Sequence, residues 1–415
     1  MAADPLEIVY REYGPRVLAY LVGRLRDVEL AEDALQAALL RALERWPRDG
    51  EPNNPVAWLA MVAYRKAIDE LRRTGRVLPT DPEVLEAISM SPAPSEKDIP
   101  DERLALIFML CHPSLAREVR VPLVLQELVG FTAIELGRIF LMPPTTIGQR
   151  LVRAKRKIRT ARIPFAVPPV DELSDRVGAV REVIYLIFTE GHVASRGTEL
   201  FRADLTSEAI ALARLLCELL QAQGLRGTLV ESRALLALML LHESRRRARI
   251  TDGGSLVTLE QQDRTLWDRS QIHEAILLLE AMPPPEDAGP YQIEASIAAE
   301  HALALRFEET DWARMLALYD RLRKHKPGVV VEVNRAVIVA RLRGPAAALA
   351  ELHALLISPE RYRYAPLSLL FGELYAELGE VELAGKHFRR AAQLTGNLKE
   401  RQYIVGRAKE LDLQS

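Results

Sequence analysis

Cysteine is almost missing from this chain: 415 residues contain only Cys111 and Cys217. Two thiols so far apart provide neither a disulfide framework nor a cysteine-based zinc site. Aromatic residues are scarce, at 6%. No apolar run approaches the roughly 18 residues that a membrane span needs. The opening stretch MAADPLEIVY lacks the basic-then-apolar layout of a signal peptide. These absences lead us to expect a cytoplasmic protein with no membrane partner. The eight histidines include no pair at metal-ligand spacing, and GxGxxG, GxxxxGK[ST] and GxSxG are all absent. Glu190–His192 and Cys111-His112 then read as core or surface residues. We expect no enzyme activity, no cofactor and no metal.

What the chain does have is alanine, leucine and charge. Apolar residues make up 49% and charged residues 27%, with a net charge of −2. That is ordinary globular composition, biased toward helix formers, and the expected class is all-α. The charge is unevenly placed. Thr132–Arg162 holds eight basic residues and one acid, whereas Val77–Glu102 holds one lysine and seven acids. Such asymmetry points to a polyanion partner for one stretch and not for the whole surface.

The helical periodicity of Leu6–Arg73 is broken by WPRDGEPNNP. Asn54 is a good N-cap and Pro55 suits the first helical position. Ala57, Met61, Tyr64, Ile68 and Leu71 then form an apolar face, leaving Arg65, Lys66, Asp69, Arg72 and Arg73 off it. In the preceding helix, Leu35, Leu39, Ala42 and Trp46 face inward, while Glu32, Asp33, Gln36 and Arg41 face solvent or a partner. Arg76–Pro100 is rich in proline, serine and acid and reads as a linker. Helical patterning resumes over Asp101–Arg162.

Within that segment a short helix is expected over Thr132–Phe140 and a two-proline turn over Leu141–Pro144. A second helix would be capped by Thr145 or Thr146. Two helices joined by such a turn form a helix-turn-helix, whose second helix enters the major groove. Ile147, Leu151, Ala154 and Ile158 set its inward stripe, so Gly148, Gln149, Val152 and Lys155 are expected to face away. Arg150, Arg153 and Arg156 lie on the flanks. Glutamine suits adenine and valine suits the thymine methyl; the basic side chains suit phosphates. A basic helix that is merely solvated, or that contacts a protein, is the competing reading.

AEDALQAALLRALERW followed by NPVAWLAMVAYRKAIDELRR resembles region 2 of bacterial RNA polymerase sigma factors of the extracytoplasmic-function (ECF) class. FTAIELGRIFLMPPTTIGQRLVRAKRKIR resembles their region 4. The resemblance implies a sigma region 2 bundle over residues 1–75, a linker over 76–100 and a region 4 helix-turn-helix over 101–165. It implies core-polymerase binding through Glu32, Asp33, Gln36 and Arg41, against the β′ clamp helices, with the β flap as a further partner. It implies −10 DNA contacts at Asn53, Asn54, Arg65, Lys66, Asp69, Arg72 and Arg73, with loop Pro47–Asn54 receiving a flipped base. It implies −35 contacts at Thr145, Thr146, Gln149, Arg150, Val152, Arg153, Lys155 and Arg156. The acidic linker would thread the channel that RNA later occupies. Two departures are visible: Arg65 stands where the family usually has asparagine, and LMPPTT replaces the usual turn. Trp58 matches a family tryptophan and equally suits core packing.

An ordinary ECF factor would end near Phe165, and about 245 residues follow Pro169. We expect a helical extension over 170–290 and tetratricopeptide-like repeats over 291–415. Phe371, Gly372, Tyr375, Gly379, Ala384, Phe388 and Ala391 follow the repeat pattern. Gly344 falls 35 residues before Gly379, in a degenerate copy. Asp311, Trp312 and Pro327 mark a third copy. Stacked units would form a short α-solenoid able to take a protein or a small ligand. Gly253-Gly254 suggests a hairpin turn with Leu256, Val257 and Leu259 in short strands. Asp263, Arg264, Trp267, Asp268 and Arg269 form either an interdomain network or a ligand or polymerase contact. The functional expectation is a promoter-specificity subunit with a fused C-terminal regulator. The alternative is a DNA-binding regulator that acts without core polymerase.

Overall fold

A computed structural model of the chain describes residues 5–74, 101–140, 142–192, 201–251, 253–283, 288–353 and 364–414. The expected linker therefore lies outside the described residues. The protein is all-α, and its contacts divide it into two units, Met1–Ile187 and Phe188–Ser415. The division falls within one helix and not at the proline-rich stretch ending at Pro169.

The first unit begins with α1 (Pro5–Leu25), α2 (Val28–Asp49) and α3 (Pro55–Thr74), which pack on one another. Asp27 opens α2 by accepting a hydrogen bond from the Leu30 amide at 3.2 Å. Asn54 opens α3 in the same way, from Ala57 at 2.9 Å. Both satisfy a donor that the helix leaves without a partner. Leu18, Leu21, Leu35, Leu39 and Leu59 fill the centre and are almost wholly removed from water. Helix α2 runs on past the expected break at Trp46: Pro47 sits in its last turn, and the chain turns at Gly50, where φ is +82°. Only Gly50–Asn54 is left as connection, so the expected loop Pro47–Asn54 begins as helix.

Helices α4 (Arg103–Leu110), α5 (Arg117–Val129), α6 (Ala133–Ile139) and α7 (Pro144–Thr160) follow. The Thr132 hydroxyl and the Glu135 carboxylate cap α6 reciprocally. Helix α7 starts at Pro144 and not after a threonine cap. A proline excludes the residue before it from helical dihedrals, and its own fixed φ suits the first helical position. Thr145 and Thr146 therefore lie inside the first turn. Ile147, Leu151, Ala154 and Ile158 are buried as expected. Helix α8 (Val170–His192) crosses the division between the units.

The second unit centres on α10 (Arg226–Glu243), which packs against α9 (Ala203–Ala222), α11 (Arg269–Glu280) and α12 (Pro290–Leu303). All seven residues from Leu235 to Leu241 are apolar and buried, as suits a helix surrounded on several sides. Gly254 takes φ +76°, and the Thr251 amide donates to the Ser255 carbonyl, so the expected turn forms. The expected strands do not. Ile250 and Leu256 make a single antiparallel bridge, and Leu259 opens a 3₁₀ turn. One bridge with no neighbouring strand cannot propagate a sheet.

Helices α13 (Trp312–His325), α14 (Val329–Arg343), α15 (Pro345–His353), α16 (Ala365–Glu377), α17 (Val381–Leu394) and α18 (Leu398–Gln414) complete the unit. Gly344 and Gly379 both have positive φ, +85° and +78°, and turn the chain between consecutive helices. A Cβ on Gly372 would lie 2.7 Å from the Phe388 ring, so its hydrogen lets α16 and α17 approach.

Candidate functional site

On α2, Asp33, Gln36 and Arg41 are exposed, while Glu32 is half-buried. On α3, Arg65, Lys66, Asp69, Arg72 and Arg73 are all exposed, opposite buried Leu59, Ala63, Ile68 and Leu71. Arg73 pairs with Glu70 at 2.8 Å, which leaves the rest of this face mainly cationic. Asn53 is exposed, but the Asn54 carbonyl oxygen is spent on the α3 cap. Trp58 meets Trp46 edge-on at 5.7 Å, and Trp46 meets Tyr13 at 6.1 Å. These three rings brace the α2–α3 connection beside the basic face.

On α7, Thr145, Gln149, Arg150, Val152, Arg153 and Arg156 are exposed, and Thr146 is half-buried. Val152 keeps 58% of its surface, the exposure of a side chain with no packing duty. Gly137 in α6 positions this helix, and sequence reasoning did not single it out. A Cβ there would stand 2.8 Å from the Met142 carbonyl and 3.2 Å from the Pro144 nitrogen. Its signal was available as a glycine inside a short helical pattern, AIELGRI.

Lys155 departs from its expected outward position. Its side chain is 9% exposed and lies 2.5 Å from Glu32 and 2.9 Å from Glu127. Four residues after Leu151 is only about 40° round the helix, so Lys155 borders the buried stripe and its ammonium reaches the acids. Farther along α7, Arg159 lies 2.8 Å from Glu29 and 3.8 Å from Asp27, and Lys157 donates to the Ser114 carbonyl. Glu32, an expected polymerase contact, is thus joined to Lys155, an expected DNA contact.

Burial and the neighbouring Glu32 hold the Glu127 carboxyl well above its ordinary value, with Lys155 pulling the other way. For Lys155, burial favours the neutral amine, but the two carboxylates outweigh it and keep the charge. Tyr10 donates to the Glu127 carbonyl at 3.0 Å, adding α1 to the same junction. Glu127, 1% exposed, was not anticipated. A lone acid in an apolar helical run (VLQELV) was its signal.

In the second unit, Asp263 caps the turn at Thr265, and Asp268 caps α11 through Ser270 and Gln271. Arg269 donates to the Arg264 carbonyl at 3.2 Å. Arg264 donates to the carbonyls of Ala304, at 2.7 Å, and His301, at the end of α12. Trp267 is 3% exposed. These bonds join the segment to its own unit. Among the described residues, no group of three or more His, Cys, Asp or Glu is placed to hold a metal ion. Among them too, no helix is long and apolar enough to cross a membrane.

Residues 9–77, which span most of α1 and all of α2 and α3, match the family model described as Sigma-70 region 2. Residues 176–282 match a family of unknown function, DUF6596. The chain is 38% identical over 397 residues to "Uncharacterized protein R00370" of Rhizobium meliloti (strain 1021), covering 94% of this chain and 92% of that one. It belongs to the same family as that protein. It is also 29% identical over 158 residues to "RNA polymerase sigma factor CarQ" of Myxococcus xanthus, covering 38% of this chain and 89% of the relative. A third relative, "Probable ECF RNA polymerase sigma factor SigI" of Mycobacterium tuberculosis, is 27% identical over 171 residues, 40% of this chain and 58% of its own length. No solved structure matches.

Proposed function

We propose that the chain is an RNA polymerase sigma factor of the ECF class, directing core polymerase to specific promoters, with a C-terminal regulatory part fused to it. The observation that carries this reading is the sigma region 2 match over residues 9–77, on a three-helix bundle exposing two chemically distinct faces. Asp33, Gln36 and Arg41 on α2 would meet the polymerase clamp. Arg65, Lys66, Arg72 and Arg73 on α3 would meet the −10 DNA, where cations neutralise phosphate.

Helices α6 and α7 would serve as the −35 helix-turn-helix. Gln149 and Val152 are the candidate base readers, and Arg150, Arg153 and Arg156 the phosphate contacts. The link from Lys155 to Glu32 gives this reading a consequence. A lysine held between two carboxylates is not available to phosphate, and a glutamate held by lysine is not available to polymerase. Promoter binding on core enzyme would have to release it. The repeat-like helices of the second unit would supply the regulatory surface.

Run-off transcription with purified core polymerase tests the central claim. A transcript dependent on both this protein and one promoter sequence is expected. Promoter-specific DNA binding with no transcript would instead favour a regulator that acts without core polymerase.

A further inference from the structure

Three arginines and three histidines of the second unit gather around the end of α10. Glu243 and Glu400 act on Arg249, and Glu308 and Glu309 on Arg264, from beyond ion-pair distance, and no acid offsets the burial of Arg245. Arg245 Nη2 lies 3.0 Å from His242 Nδ1, and Arg249 Nη1 lies 2.8 Å from His192 Nε2. A guanidinium only donates hydrogen bonds, so both ring nitrogens accept and both imidazoles are neutral. The two histidine rings stand 5.2 Å apart. The Trp267 ring lies 4.7 Å from the Arg264 guanidinium and 5.9 Å from that of Arg245. Among the described residues, no carboxylate lies within ion-pair distance of Arg245, Arg249 or Arg264.

Capping explains part of this arrangement. Arg249 donates to the His192 carbonyl at the end of α8, and Arg264 to carbonyls at the end of α12. Cations are favourable at helix C-termini. Capping does not account for the remainder. The Arg245 guanidinium has only a neutral imidazole as hydrogen-bond partner, Arg264 Nη2 is buried with no acceptor, and so is Trp267 Nε1. His301 Nδ1 is buried and unpartnered as well. Leaving such groups unmatched is costly, most of all for a cation. Burial lowers all three histidines, with the neighbouring arginines adding to the effect, and brings His301 to about 3. Burial and Arg264 bring Arg245 to about 10.

The unsatisfied Arg264 and Trp267 atoms can donate but not accept. The complementary ligand must therefore be rich in acceptors and negatively charged. We propose that Arg245, Arg264 and Trp267 form a binding site for a small-molecule oxyanion, a carboxylate or a phosphate. Planar guanidinium forks match both groups in geometry, and the indole N–H supplies a third donor. The proposal stands independently of the sigma-factor reading.

The test uses the full-length chain at constant ionic strength, titrated calorimetrically with inorganic phosphate and, separately, with citrate. Saturable binding of at least one is expected, accompanied by a rise in Tm. Binding of phosphate alone would assign the site to phosphate-bearing ligands, and binding of citrate alone to carboxylates. Arg245→Gln and Trp267→Phe should each weaken binding roughly tenfold, since each removes a donor to a charged acceptor. Without ligand, Arg245→Gln should melt no lower than the parent, because it removes an uncompensated cation. Two results overturn the proposal: neither anion binds saturably, or both variants bind as the parent does. A lower ligand-free Tm for Arg245→Gln in a chain that binds neither anion would point to an internal counter-charge.

Discussion

At the residue scale, Gly137 acts on the α6–α7 turn and Glu127 on Lys155 of α7, and neither was among the expected ligand contacts. Replacing Gly137 by alanine should gain about 1 kcal/mol of helix propensity. Its methyl group, however, would press on backbone at Met142 and Pro144. Backbone atoms cannot rotate away, and overpacking of this kind costs about 1–3 kcal/mol. We expect Gly137→Ala to lower Tm slightly and to weaken promoter-DNA binding clearly, measured by thermal melts and fluorescence anisotropy. Unchanged affinity would remove Gly137 from the positioning role. Glu127 offers a pH test. Its carboxyl binds a proton more tightly folded than unfolded, because burial disfavours the charge. Its contribution to stability is thus complete below the ordinary value of 4.5 and declines as pH rises toward the folded value. Glu127→Gln should flatten the fall of Tm with pH above 4.5, and a parallel curve for the variant would contradict this origin.

At the scale of elements, helix periodicity in the sequence located α2, α3 and α7 and most of their buried faces, because a one-sided core imposes a 3.6-residue repeat. The Asn54 cap and the turn at Gly254 were legible too, since few residues meet those backbone demands, whereas Gly344 and Gly379 were read only as repeat positions 35 residues apart. The start of α7 was misplaced because two prolines overrode two good threonine caps. The strands near Leu256 were misplaced because a turn signal does not supply a partner strand. Lys155 was misplaced for a different reason. Periodicity gives the angle of a side chain but not the acids waiting on α2 and α5, which are distant in sequence. That junction can be examined with a double-mutant cycle. Removing one partner of a buried pair costs about 3–5 kcal/mol, so Lys155→Met should lower stability severely. Adding Glu127→Gln should restore much of the loss, because the carboxylate left unpaired is then neutral. Additive losses in chemical denaturation would mean that the two side chains are not coupled.

At the scale of the whole molecule, the question is where the sigma-like part ends. The sequence suggests the prolines before Pro169, yet the first unit extends to Ile187. Leu173, Val177, Val180 and Ile184 on α8 have no exposed surface. Polar contacts from the same helix reach the first unit: Arg176 donates to the Phe108 carbonyl, and Glu182 pairs with Arg117 at 2.6 Å. Each large apolar side chain buried there contributes about 1.5–3 kcal/mol. Their joint loss is comparable with the 5–15 kcal/mol that holds a typical domain together. A chain truncated after Phe165 should therefore be markedly less stable than one truncated after His192, which keeps α8 whole. Altered transcription by the shorter chain would report damage to the first unit and not the removal of a regulator. The informative comparison is residues 1–192 against the full chain, melted and assayed side by side. If residues 1–165 melt as high as residues 1–192, α8 contributes nothing to the first unit and the functional boundary returns to the prolines. If residues 1–192 fold and transcribe differently from the full chain, the difference belongs to the helices beyond α8, which is where the regulatory role is proposed.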